Sequence, residues 1–212
     1  MSTLSVIFDI DGVVVDSEQL HFDVLSELLP DHTCGVTAEQ LIGLSLEETL
    51  LQIGIDASQH GNLTRRIVAA YKVLLEPRYL RPGILELVHG LSVRGIPFGF
   101  VSTAPRDICL ANLATLALPQ EPPLVAGDDI TRTKPWPDPY LSMLAQLDVI
   151  AAQTIVVEDT DLGIQSATAA GIRQVYAWPH ALSGSERYQQ AHAVIRTLND
   201  IAPFGAMLKA SD

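Results

Sequence analysis

The sequence predicts an α/β fold, a doubly wound parallel sheet with helices on both faces, interrupted once by a helical insert. Three observations predict it. From residue 84 onward, short runs rich in Val, Ile and Phe alternate with helical stripes, the pattern of parallel β-α units. Those runs are apolar throughout rather than alternating, as strands covered on both faces require. Between about Ser17 and Arg81 the strand signal disappears and helical spacing alone remains.

Taken in order, residues 4–10 read as a buried first strand running into Asp9-Ile10-Asp11-Gly12. Leu20, Val24, Leu25, Leu28 and Leu29 then recur at helical spacing, and Pro30 is expected to stop that helix. Ser45 is a plausible cap for a second helix carrying Leu46, Leu50 and Leu51. Leu63, Ile67, Ala70, Leu74 and Leu75 make a third stripe, and Arg81-Pro82-Gly83 punctuates the chain. Helices are then expected over Ile84–Val93, Asp107–Leu118, Pro139–Leu147 and Leu162–Ala170. Strands are expected over Ile96–Val101, Leu124–Ala126 and Thr154–Val157, with a final one over Arg173–Ala177. The expected organisation is a core of residues 1–16 and 82–212 with a helical unit, residues 17–81, inserted after the first strand.

The chain has 212 residues, of which 48% are hydrophobic and 18% charged, a globular composition able to bury roughly 70% of its unfolded surface. A formal net charge of −12 argues against nucleic acid or an anionic membrane as partner, yet leaves room for a small anionic substrate at a local site. Cys34 and Cys109 match no metal or redox spacing and are expected to be free thiols in a reducing cytoplasm. The apolar run before Asp9 is too short for a signal peptide, and no segment approaches the roughly 20 apolar residues of a membrane span. No protein partner is evident.

Ligands of open parallel sheets bind beyond the carboxyl ends of the strands, so the residues following each strand are the candidates. Asp9 and Asp11 follow the first strand, Ser102 and Thr103 the second, and Glu158-Asp159-Thr160-Asp161 the fourth; Arg132-Thr133-Lys134-Pro135 precedes the fourth. In a strand, residues i and i+2 share a face, so Asp9 and Asp11 would emerge side by side. Like charges so placed call for a cation or a shared proton. Several carboxylates near one point suit Mg²⁺, which pairs a few carboxylates with waters and substrate phosphate. Lys134 and a hydroxyl from Ser102 or Thr103, of which Ser102 stands first after the strand, suit phosphoryl oxygens. A carboxylate can attack phosphorus, and a neighbour can exchange a proton with the leaving alcohol and then with water.

These four elements, in this order, resemble the haloacid dehalogenase-like superfamily, and the likeness spans essentially the whole chain. The matching strings are Asp9-Ile10-Asp11-Gly12-Val13, Val101-Ser102-Thr103, Lys134-Pro135-Trp136-Pro137-Asp138-Pro139 and Val157-Glu158-Asp159-Thr160-Asp161-Leu162-Gly163. The resemblance implies a Rossmann-like core with a helical cap and an aspartyl-phosphate mechanism. It implies Asp9 as nucleophile and Asp11 as general acid/base. Mg²⁺ would be held by Asp9, the Asp11 main-chain carbonyl and Asp159, with Glu158 a ligand or a supporting neighbour. Ser102 and Lys134 would hold phosphoryl oxygens, with Thr103 adjacent. Asp161 is open between a site role and a helix cap.

His21 falls where the β-phosphoglucomutase-like branch carries a histidine at the cap hinge, while the other five histidines show no metal spacing. Trp136 and Trp178 are assigned to packing. Gly43, Ser45 and the arginines Arg65, Arg66 and Arg78 are the cap candidates for substrate contact. The implied activity is a Mg²⁺-dependent phosphatase for a small phosphorylated metabolite, a sugar or polyol phosphate. A phosphomutase is the alternative, weakened because Leu46 stands where that enzyme has arginine after Gly-x-Ser. An inactive binding or regulatory protein on the same scaffold would be expected to lack a motif residue, and none is missing.

Overall fold

The computed structural model describes residues 4–41, 46–180, 183 and 187–208. The strands are β1 (Ser5–Asp9), β2 (Phe98–Val101), β3 (Leu124–Val125), β4 (Thr154–Glu158), β5 (Gln174–Ala177) and β6 (Ala193–Val194). They form one sheet in the order β3-β2-β1-β4-β5-β6, parallel throughout. β1 and β4 sit at its centre, and every residue of both is buried. That burial is why their sequences carry almost no polar alternation.

Alternate residues of each strand divide between two cores. Val6, Phe8, Phe100, Ile155 and Val157 face α5 (Ile84–Val93), α6 (Arg106–Ala114) and α9 (Ala202–Leu208). Ile7, Val101, Val156 and Val175 face α7 (Asp138–Leu147) and α8 (Asp161–Ala169). Full burial of each such side chain contributes roughly 1.5–3 kcal/mol, and Phe8 stacks on Phe100 with ring centroids 5.7 Å apart. By the same alternation Asp9 leaves β1 on the Ile7 side, toward α7 and α8.

Between β1 and α5 the chain makes a helical excursion of α1 (Ser17–Leu28), α2 (Pro30–Thr33), α3 (Leu46–Gln52) and α4 (Ala57–Leu74). Asp16 caps α1 by accepting the Gln19 N–H, and Asp56 caps α4 by accepting the Ser58 N–H. The outgoing and returning chains run side by side. Asp16 N–H donates to the Tyr79 carbonyl at 2.8 Å, and Arg81 N–H to the Val14 carbonyl at 2.9 Å. At the far end of α4, the Tyr71 hydroxyl donates to Asn112 of α6 at 2.9 Å, with both residues buried.

Several expectations need correction. α1 does end just before Pro30, with Leu29 as its C-cap, but Pro30 has a second role. It opens α2 as the first-turn residue, where its missing N–H costs nothing. α6 stops at Ala114 rather than Leu118, and Ala117 takes a positive φ of 48°. β5 is not the final strand, because β6 adds a short outer edge and α9 follows it. Gly43, Leu44 and Ser45 lie outside the described residues. Among the described residues no helix is long and apolar enough to cross a membrane, and both cysteines are free.

Candidate active site

The carboxyl ends of the two central strands bring Asp9 and Glu158 together, one residue beyond the paired Phe8 and Val157. Asp9, Glu158 and Asp159 are all buried, and one oxygen of each lies within 4.8 Å of the others. Lys134 is inserted among them. Its ammonium contacts the Asp9 carboxylate directly and Glu158 Oε1 at 2.5 Å. Burial works against the charged ammonium, but Asp9 and Glu158 outweigh it and hold Lys134 well above the ordinary lysine range.

Glu158 is saturated with donors. Oε1 accepts from Lys134 and from the Tyr140 hydroxyl at 2.8 Å, while Oε2 accepts from the Asp159 and Thr160 N–H groups and the Thr160 hydroxyl. Asp159 is the opposite case. Its Oδ1 is buried with no hydrogen-bond partner, and its Oδ2 lies 3.5 Å from His180 Nε2. A buried acceptor left open costs about 1–3 kcal/mol, more when it carries charge.

Burial, then the neighbouring acids, push the Asp159 carboxyl well above the usual range, and Lys134 only partly offsets them. Burial raises Asp9 in the same direction, against Lys134. With all three carboxylates ionised, a single ammonium would leave two negative charges uncompensated. A hard divalent cation fits that deficit and the open oxygen of Asp159.

Asp11 is placed differently. Its Oδ2 accepts the Ser102 hydroxyl at 2.8 Å, and Ser102 Oγ in turn accepts the Ala104 N–H at 2.9 Å. Its side chain is outside the Asp9–Glu158–Asp159 group. It faces a cavity of about 550 Å³ between the helical excursion and the core, lined also by Glu18, His21, Thr49 and Thr103. Ser102 is buried and Thr103 exposed. His21 Nδ1 is 2.9 Å from the Ser17 carbonyl, and its ring packs on Tyr71 at 4.6 Å.

Backbone shape matters at two glycines. Gly12 has φ +79°, and a Cβ there would run into the Asp159 carboxylate; a Cβ on Gly163 would run into that of Glu158. Asp161 neither caps α8 nor joins the acids. Thr160 caps the helix, and the Asp161 carboxylate accepts the N–H groups of Arg187 and Tyr188.

Two residues escaped the sequence reading. His180 was grouped with histidines of no metal spacing, yet the end of β5 brings it beside Asp159. Arg81 stands in the sequence as mere punctuation. Folded, it is buried over the Trp178 ring at 3.8 Å and donates to the Gly12 carbonyl at 2.6 Å and the Pro179 carbonyl at 3.0 Å. It thereby ties the loop after β1 to the loop after β5. The Arg81-Pro82-Gly83 string was the available signal. Trp178 packs as expected, but Trp136 is 54% exposed, with Arg132 stacked on it at 5.3 Å.

A family-wide sequence pattern described as haloacid dehalogenase-like hydrolase matches residues 6–177. The chain belongs to that family. Among relatives of this haloacid dehalogenase-like hydrolase, a phosphorylated carbohydrates phosphatase from Thermotoga maritima is 27% identical, over 90% of this chain and 92% of its own length. A validoxylamine A 7'-phosphate phosphatase from Streptomyces hygroscopicus subsp. limoneus is 31% identical, over 78% of this chain and 81% of its own. A Thermotoga maritima crystal structure provisionally named a beta-phosphoglucomutase superposes with a TM-score of 0.76 at 25% identity, covering 98% of both chains.

Proposed function

We propose that this hydrolase is a Mg²⁺-dependent phosphatase acting on a small phosphorylated carbohydrate or polyol. The observation that carries the reading is the split between its two motif aspartates. Asp9 lies among buried acids and a lysine, whereas Asp11 pairs with Ser102 and faces the cavity. Two carboxylates in different surroundings can take different roles. The phosphatase names of the two relatives point the same way.

In this scheme Asp9 attacks phosphorus, forming an aspartyl-phosphate as the ester oxygen leaves. Asp11 gives its proton to that oxygen, then takes one from the water that cleaves the acyl phosphate. Lys134 opposes the effect of burial and favours the ionised form of Asp9, and it offers positive charge to the phosphoryl oxygens. Ser102 orients Asp11, and Thr103, on the cavity wall, offers its hydroxyl to substrate. Asp9 and Asp159 would hold Mg²⁺, with the Asp11 carbonyl as a further ligand. Bound there, the cation supplies neutralising charge for the transferring phosphoryl group. Glu158, whose oxygens are already filled, serves as the anchor for Lys134 rather than as a ligand. The helices of residues 17–81 act as a cap that excludes water over the site, with His21 at its base.

The mutase alternative needs a cation on the cavity wall to grip a second phosphate. Arg65 and Arg66 do not line this cavity, and Arg78 lines a separate one near the hinge. A screen of phosphorylated metabolites with Mg²⁺, read by free phosphate, tests the proposal. Release from at least one sugar or polyol phosphate is expected. Conversion of a hexose 1-phosphate into the 6-phosphate without phosphate release would replace this reading with the mutase.

A further inference from the structure

The cavity above Asp11 has an unusual electrostatic character for a pocket meant to receive a phosphate ester. Among its described lining residues there is no lysine or arginine. Lys134 lies below, its side chain 6% exposed and engaged by Asp9 and Glu158. Residues 42–45 read Ile-Gly-Leu-Ser and contain no cationic side chain. The titratable groups on the α1 wall are Glu18 and His21.

Both are acceptors. The Ser17 carbonyl can only accept, so His21 Nδ1 must donate to it, and Nε2 of the neutral ring is left as an acceptor. Burial holds His21 below its ordinary range, which favours that neutral form. The Glu18 carboxylate offers acceptor oxygens; burial raises it above its ordinary range, His180 opposes that rise, and Asp11 and Asp16 add to it. The rest of the α1 and α3 lining is the apolar Phe22, Leu25 and Leu46 with the uncharged hydroxyl residues Ser17 and Thr49.

We propose that Glu18 and the cation-free lining make this site selective for phosphate monoesters with a hydroxyl-rich, non-anionic leaving group. The proposal rests on the phosphatase reading above and narrows it. Hydroxyls donate to Glu18 and to His21 Nε2, while carbon–hydrogen faces lie on Phe22 and Leu46. A leaving group with a carboxylate or a second phosphate would bring another negative charge beside Asp11 and Glu18, with no lysine or arginine among the described lining residues to receive it. Rejection by unmatched charge of this kind is a common source of specificity. The cavity, about 550 Å³, accommodates a monosaccharide-sized group.

The test uses matched pairs that differ only by a terminal hydroxymethyl or carboxylate: sorbitol 6-phosphate against 6-phosphogluconate, and glycerol 3-phosphate against 3-phosphoglycerate. Steady-state kcat/KM is measured with Mg²⁺ for the wild type, Glu18→Gln and Leu46→Arg, with p-nitrophenyl phosphate as a generic substrate. The wild type is expected to prefer the hydroxyl member of an accepted pair by roughly tenfold or more. Glu18→Gln should shrink that ratio several-fold, and Leu46→Arg should shrink it through a gain on the carboxylate member.

A wild-type ratio near one, or a ratio that neither variant moves, overturns the proposal. Turnover of p-nitrophenyl phosphate with neither pair accepted also overturns it, while sparing the phosphatase reading. Failure on every phosphate ester overturns both.

Discussion

The ammonium of Lys134 contacts the carboxylate of Asp9 across a sequence separation of 125 residues, joining the loop after β3 to the end of β1. Glu158 holds the same ammonium from β4. Among the described residues Lys134 is the one lysine or arginine in direct contact with this group of three buried acids, and its removal leaves those acids facing one another. Lys134→Ala is expected to cost about 3–5 kcal/mol in urea unfolding and to abolish turnover. The loss should be larger near pH 8 than near pH 5.5, because protonation relieves unpaired carboxylates. Unchanged stability at both pH values would contradict the central role given to this lysine.

Asp9→Asn keeps the shape of the side chain and removes the proposed nucleophile. Phosphatase activity should fall by roughly 10⁴-fold or more, with an unaltered circular dichroism spectrum. Activity within a few-fold of wild type at equal purity would displace Asp9 from its role.

Metal loading should depend on pH in a definite direction. Burial raises Asp9 and Asp159 above the ordinary carboxylate range in the folded, metal-free protein. Their protons are therefore held more tightly in the folded than in the unfolded chain. The metal-free protein gains stability as pH falls through that raised range, and loses it as pH rises. Mg²⁺ displaces those protons, so the rise in Tm that it produces should be greater near pH 8 than near pH 5.5. EDTA should silence the enzyme and excess Mg²⁺ restore it. An equal Tm shift at both pH values would remove these carboxylates from the metal site.

Gly12 and Gly54 form a matched pair. Both have φ +79°, but a Cβ at Gly54 meets nothing within 4 Å, whereas one at Gly12 collides with Asp159. Gly54→Ala should cost only the backbone term, roughly 1–2 kcal/mol. Gly12→Ala should add a weaker apparent affinity for Mg²⁺, read from activity against metal concentration. Equal metal dependence in the two variants would mean that Asp159 yields freely and does not hold the ion.

The strand-and-helix order of the core was legible because covered strands are written as apolar runs, and α5 and β4 lie within a residue of their expected bounds. β6 was illegible for a physical reason: two residues joined through the backbone of Tyr176 and Ala177 leave no side-chain pattern. α9, with Pro203 and Gly205 inside seven residues, carries little helical propensity. Within the site, Asp9, Glu158 and Asp159 stand at or just beyond strand ends and Lys134 opens a proline-rich string, both of which sequence records directly. Arg81 and His180 reach the same region by long-range folding onto carbonyls and a carboxylate, and no local spacing encodes that. Asp161 was misjudged because its partners, the N–H groups of Arg187 and Tyr188, are main-chain donors whose location no side-chain pattern announces.

The side-by-side run of the outgoing chain at Val14 and Asp16 and the returning chain at Tyr79 and Arg81 means that the whole helical excursion hangs from one narrow stem. Asp9, Ser102, Lys134 and Asp159 all stand on the sheet side of that stem. Mutations between residues 17 and 78 can therefore remodel which molecule is admitted without moving the groups assigned to bond cleavage. Conversely, the reacting groups can stay frozen while the excursion drifts. On the proposed reading, inheritance of the reaction and much of the inheritance of the preference are carried by separate stretches of one gene product, so relatives can share the first and differ in the second.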